Sequence, residues 1–385
     1  DSALGRQRRL NSVGESVLQI APNAAAAYSL RSLTGGDPRV VRVRRVIDNA
    51  ESDFTASGVS SGALTSFVND IQTVGTAVNG TGSFDNYTVS NLSTTGFSAD
   101  NSAGGTGSAG FPYVFKDEDV LVIKYTVTNF SSTSSLSPKI RGTSSTSSAT
   151  EVTSGGTIFT ANGTYTDTLT GTSNGTHLMF ADGNTGSYTI SDFEIVSHSS
   201  NGFVETWYDQ SGNSNDAVQE TAGSQPKIVS AGTLLNELDF DGTADELAID
   251  FGADLSQANS LFMVHQSDST SSNSNDFFDR ISGSPRTLLD QSGSNYRMLS
   301  ASSVSTGVAV TTDKSLVFAL YNGASSLFAK NGTATSVLNA GTDGINQNSS
   351  LGSSGSNFYN GTMQEVIIYN SDQSSNRVAL ETNIN

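Results

Sequence analysis

Apolar and polar positions along this chain alternate in short runs, each closed by turn residues. From Phe203 to Tyr208 the side chains Phe203, Glu205 and Trp207 fall on one face of a strand and Val204, Thr206 and Tyr208 on the other. Asp209-Gln210-Ser211-Gly212-Asn213 then supplies turn chemistry that ends it. Leu238 and Phe240 repeat the pattern before an Asp241-Gly242 turn, and Leu247, Ile249 and Phe251 come next at period two. Val41 and Val43 alternate with Arg42 and Arg44, which sets those arginines on a solvent face. Further β-branched or aromatic runs at 86–97, 120–130, 157–169, 177–180 and 188–196 are separated by Gly/Ser/Asn clusters, at about the spacing of a jelly roll. Residues 131–154 read as an exposed Ser/Thr-rich crossing. Helix is scarce: 376–381, capped by Ser374 or Ser375, and a short turn at 62–67. Neither a 20–50-residue repeat nor a heptad run is present, which excludes propellers, solenoids and a coiled-coil shaft.

The words WYDQSG, NDA, QPKIV and LDFDGT between Trp207 and Thr243 resemble the laminin G/concanavalin A-like domains of bacteriophage fibre and capsid-surface proteins, and the opening of the fungal arabinofuranosidase B catalytic module. AAAAYSLR and VRVRR near the N-terminus resemble the leader of the same family, and 357–385 resembles its closing strand and final helix. The resemblance therefore covers 21–70 and 200–385, and leaves 71–199 as an insertion. That segment is similar to a carbohydrate-binding-module sandwich through its strand rhythm and the phrase TGSYTISDFEIVS. Strand pattern and resemblance together imply an all-β chain: a basic arm at 1–20, a concanavalin A-like β-sandwich (jelly roll) split between 21–70 and 200–385, and an inserted second β-sandwich at 71–199.

Composition supports this and narrows the function. At 385 residues the chain is long enough for more than one core. With no cysteine, disulfides and thiolate metal sites are excluded, which suits assembly in a reducing cytosol. No apolar run approaches the ~20 residues of a membrane span, and no signal-peptide core is visible. The net charge of −18 is unevenly spread: residues 1–45 hold eight arginines against Asp1, Glu15 and Asp37, a local +5, leaving −23 for the rest. Arg6, Arg8 and Arg9 lie outside any periodic pattern and are read as a docking segment for an acidic partner surface. Without interleaved aromatic residues, and with an acidic body, they do not indicate nucleic acid.

Candidate chemistry is sparse. His177, His198 and His265 lack metal-ligand spacing, so no metal site is expected from them. Asp239, Asp241, Asp245 and Asp250 are close enough to suggest calcium, but Asp241-Gly242 already serves a turn. Glu205, Asp209, Asp239, Asp241, Glu246 and Glu365 are possible members of a hydrolytic carboxylate pair, and nothing in the sequence singles out two. Trp207 is expected in the core with its indole N–H paired internally, which leaves Tyr208 as the candidate sugar-stacking residue. The reading is a phage virion protein, not an enzyme, exposed on capsid or tail in many copies. It contacts other virion proteins and host-surface glycans, without nucleic acid, membrane or cofactor. The alternative is a secreted carbohydrate-active enzyme of arabinofuranosidase type, or a binding module from one.

Overall fold

The computed structural model describes residues 14–80, 88–100, 107–132, 139–146, 151–182, 186–270 and 272–384. Arg6, Arg8 and Arg9 lie outside them. The chain is all-β, built of large antiparallel sheets.

Residues on either side of 71–199 share one hydrogen-bonded strand system made of two series. In the first, Glu51–Thr55, Arg39–Arg45 and Gly202–Trp207 lie side by side. Ala217–Val218 joins these to Leu247–Asp250, Asn348–Leu351, Ser272–Arg280, Thr287–Gly293, Asn295–Ser300 and Ser303–Ala309. In the second, Asn360–Tyr369 is central. Asn259–Ser267 and then Ser315–Tyr321 lie on one side of it, and on the other Ala26–Ser29 and Thr233–Asp241 share its length in tandem. One core takes Val41, Trp207, Leu289 and Leu351 from the first series and Met263, Val317 and Val366 from the second, consistent with a β-sandwich. Asn259–Ser267 and Ser315–Tyr321 are buried on both faces, because the short helices Val17–Ile20 and Arg377–Ile384 close the outer side over Phe262, Phe318 and Ile367. This explains their continuous apolar runs.

Strands between 78 and 199 form two other sheets. One has six strands, centred on Val120–Ser132 and Gly186–Ser199; the other has four, centred on Gly107–Phe115 and Gly175–Asp182. They enclose a core drawn wholly from 77–195, in which Phe111 stacks on Phe193 with centroids 3.9 Å apart. Among the described residues no strand of this range pairs with one outside it. The chain leaves and re-enters at one point, where Ser200 N donates to Asn69 Oδ1 at 3.0 Å and Asn69 Nδ2 donates to Gly232 O at 3.1 Å.

Several local expectations are corrected. Alternation between Phe203 and Tyr208 is broken by a register shift against Arg39–Arg45 between Val204 and Thr206, so Val204 and Trp207 both face the core. Trp207 is fully buried, 5.6 Å from the Tyr28 ring, but its indole N–H meets no acceptor among the described residues. Arg44 is not on a solvent face. It is buried, donating to Gln225 Oε1, Asn49 Oδ1 and Ala222 O, with its guanidinium over Phe203. Arg42 is half-buried and bonds Asp53. His265 sits between the hydroxyls of Tyr359 and Tyr296, and burial holds its pKa down to about 3. No described helix is long and apolar enough to cross a membrane.

Candidate functional site

The turn after Trp207 is a clamp on the N-terminal strand. Asp209 Oδ1 accepts from the backbone N–H of Ala27 and Ser211, and Oδ2 from Ser211 Oγ and Asn215 N. Gln210 is buried; its Oε1 accepts from Leu33 N at 2.7 Å while its Nε2 donates to Ser29 O at 2.9 Å and Arg31 O at 3.0 Å. Asn213 and Asn215 donate to Ala24 O and Ala25 O. These polar residues are spent on backbone groups that sheet pairing leaves free. Asp209 therefore belongs to the clamp, even though burial raises its pKa.

By fixing 29–33, the clamp builds one wall of a groove of about 530 Å³, within the usual size of small-molecule sites. The opening has a topological cause. Asn360–Tyr369 exchanges one neighbour for another at this point: Met363 pairs with Leu238 and Glu365 pairs with Ser29, while Gln364 is the extra residue of a bulge against Val264 and His265. Asn236 marks the other rim. It is exposed in a strand, with left-handed backbone (φ 62°). Asp37 and the short helix Ala56–Ser60 form the facing wall, where Asp37 accepts from Ser57 N at 2.8 Å and Ser57 Oγ at 2.6 Å. Those bonds hold the Asp37 carboxyl below its ordinary pKa. Leu30, Val59 and Ala56 add apolar surface. The lining residue Arg31 forks onto Glu365, with Nε–Oε2 at 2.8 Å and Nη2–Oε1 at 2.9 Å. Glu365 is buried, which raises its pKa against the lowering effect of Arg31.

Two carboxylate clusters lie elsewhere. Asp241 Oδ1 accepts three backbone N–H groups, from Thr243, Ala244 and Asp245. Asp245, nearly buried, accepts Asp241 N, and burial followed by the charges of Asp241 and Asp239 pushes its pKa up to about 7. The Asp239 carboxyl is also raised, first by burial. In the second cluster Asp276 faces Asp290 across paired strands, while Arg286 and Arg297 neutralise Asp279 and Asp290. One Asp276 oxygen meets no partner among the described residues, and its pKa is raised to about 6, chiefly by burial. Among the described residues no group of three or more His, Cys, Asp or Glu is placed to hold a metal ion.

The sequence candidates thus separate. Glu365 pairs with the groove residue Arg31 without lining the groove itself, Asp239 and Asp241 meet Asp245, and Glu205 lies apart near Arg42. Tyr208 is outside the groove lining; its hydroxyl donates to Asp53 Oδ1 at 2.7 Å and the Arg39 guanidinium covers its ring at 4.6 Å. Asn236, Gln364, Asp37 and Arg31 stand outside the sequence candidates. An asparagine interrupting the run TLLNELDFD is the one local signal that pointed there.

No family model and no curated protein matches the chain. Among solved structures it is similar to the Trypanosoma rangeli sialidase, at TM-score 0.35 and 14% identity over 47% of this chain and 31% of that one. The same enzyme in complex with sialic acid matches at TM-score 0.34 and 14% identity, with the same coverage. A mutant of it displaying trans-sialidase activity matches at TM-score 0.33 and 16% identity, again over 47% and 31%. The chain spans less than a third of the chains it matches. These matches give no support to a phage virion protein or to a concanavalin A-like family. The expectation that the chain is not an enzyme stands corrected to this extent, that the solved structures it matches are sialidases. At such TM-scores the likeness carries no argument about the activity of this chain.

Proposed function

We propose that this protein binds glycans, and that the groove between Arg31, Asp37, Asn236 and Gln364 is the sugar site. The observation that carries this reading is the lining itself. A pyranose presents hydroxyls that both donate and accept, with C–H patches between them. The groove offers an acceptor in Asp37, dual-function amides in Asn236 and Gln364, serine hydroxyls, and the apolar surfaces of Leu30 and Val59. The wall at 29–33 is held by Gln210, so little ordering cost accompanies binding. In this reading 71–199 is an inserted β-sandwich, supported by its separate sheets and core and by the Asn69–Ser200 junction. A single-sugar site is weak, with a Kd of about 1 mM, and gains from display in many copies. A glycan array probed with a multivalent display of the chain is expected to give signal that the Asn236→Ala/Gln364→Ala variant loses. Undiminished signal from that variant would remove the groove from the account.

A second reading is favoured by Asp245. A carboxyl that keeps its proton near pH 7 beside other carboxylates is the combination that glycoside hydrolysis uses for its general acid. Asp239 is three residues along the strand from Asn236, roughly 10 Å at strand rise. Release of reducing ends from an array-positive glycan, abolished in Asp245→Asn and retained in Asp276→Asn, would establish it; equal release by both variants would exclude Asp245.

A further inference from the structure

The charges around the groove distinguish one class of sugar from another. Among the described residues Arg31 is the one cation lining it, and this guanidinium is already engaged on both edges. Nε and Nη2 donate to the two oxygens of Glu365, while Nη1 and Nη2 reach Asn383 Oδ1 at 3.4 and 3.3 Å. The bidentate fork that best holds a ligand carboxylate needs a parallel pair of free N–H donors, and Arg31 keeps a single free N–H, on Nη1. Its charge is also matched, since it is ion-paired with Glu365 at 2.8 Å. Lys314, which donates to Gln364 Oε1 at 3.2 Å, is matched in turn by Glu237. The unmatched charge at the rim is Asp37. Its carboxylate is exposed and accepts from Ser57 and Thr55, which leaves acceptor capacity for a ligand group.

Resting on the groove as the sugar site, we infer that it selects neutral and amino-bearing sugars and rejects acidic ones, with Asp37 as the residue that meets a hydroxyl or a sugar ammonium. Asp37 accepts from either group. Against a uronic or sialic acid the same carboxylate is a like charge at the mouth, and the arginine that would answer the ligand is held by Glu365. Selectivity comes from keeping the one suitable cation occupied as much as from the contacts offered. The overall −18 acts in the same direction at long range, but salt screens that contribution within about 8 Å at physiological ionic strength.

The test is surface plasmon resonance at equilibrium over chips bearing multivalent glucose, galactose, mannose, glucosamine, glucuronic acid or N-acetylneuraminic acid, in 0.15 M and 0.5 M salt. Wild type is expected to bind at least one neutral sugar, to bind glucosamine about threefold to fivefold better than glucose, and to leave both acids unbound at either salt concentration. Asp37→Asn should bring the ratio of glucosamine to glucose binding down to about one, and this ratio is the readout whatever the change in neutral binding. Glu365→Gln, which releases the Arg31 fork, should gain binding to the acids. If Glu365→Gln fails to fold, Asp37→Asn decides on its own, because that side chain is on the surface. Acids bound as well as neutral sugars by wild type in 0.5 M salt would overturn the selectivity while leaving the sugar site standing. No binding on any chip would overturn the site and the selectivity together. An amino-sugar advantage that persists in Asp37→Asn would remove Asp37 from its role.

Discussion

Replacing Gln210 by alanine tests the link between the conspicuous sequence motif and the groove. The side chain is buried and makes three hydrogen bonds, one accepted from Leu33 N and two donated to Ser29 O and Arg31 O. Alanine leaves the Leu33 N–H without a partner beside a fully buried side chain, and leaves two carbonyls short of a donor. An orphaned buried group costs about 1–3 kcal/mol, and carbonyls keep other lone pairs, so the total is about 2–4 kcal/mol. That is a large part of the roughly 5–15 kcal/mol that holds a domain folded. The backbone bond from Gln210 N to Ala27 O remains, so the strand stays in place and the 29–33 wall loosens. Urea unfolding followed by fluorescence is a clean assay, because Trp207 is the only tryptophan and lies three residues from the change. With slopes of about 1–3 kcal/mol per molar urea, the midpoint should fall by roughly 0.7 M or more, with the slope unchanged. Sugar binding in the groove should weaken in folded Gln210→Ala, without any change to a groove-lining side chain. A midpoint within about 0.2 M of wild type, with unaltered sugar binding, would refute the clamp.

Two further outcomes are expected. Because Asp245 keeps a proton up to about pH 7 in the folded chain but releases it near pH 4 when unfolded, its contribution to stability falls as pH rises between those values. The Tm of Asp245→Asn relative to wild type should therefore climb from near zero at pH 4 to clearly positive at pH 8; reading the difference cancels the opposite effect of His265, whose depressed pKa costs stability below about pH 6.5. A difference that stays flat would contradict the buried, protonated Asp245. Deleting 73–199 and closing the gap with a short Gly/Ser linker should leave a cooperatively unfolding sandwich with Trp207 still buried, since Asn69 and Ser200 already touch; loss of cooperative unfolding would place the boundary elsewhere.

How far the sequence reveals this arrangement depends on how local each interaction is. Strand runs such as Leu247–Asp250 and the closing helix are legible from periodicity and turn residues, because their causes lie within a few neighbours. WYDQSG stands out as a phrase, yet its meaning is long-range: Gln210 serves carbonyls about 180 residues away. The bulge that turns Val204 and Trp207 inward together depends on the register of Arg39–Arg45, which no single-strand pattern contains. Arg44 reads as a surface residue because alternation is blind to the Gln225 and Ala222 acceptors brought over it. The groove was hidden for the same reason, since Asp37, Asn236 and Gln364 come from three segments that meet only where Asn360–Tyr369 changes partner.

The most direct test of the central claim is a methyl NMR titration with the strongest glycan from the array. Leu30 and Val59 line the groove, whereas Leu169 and Val127 lie in the separate core of 77–195, and Leu289, though it shares a core with Leu30 and Val59, is not a groove-lining residue. Saturable shifts at Leu30 and Val59, with Leu169, Val127 and Leu289 unmoved, are the predicted result. Saturable binding that shifts other methyls and leaves Leu30 and Val59 where they were would contradict it.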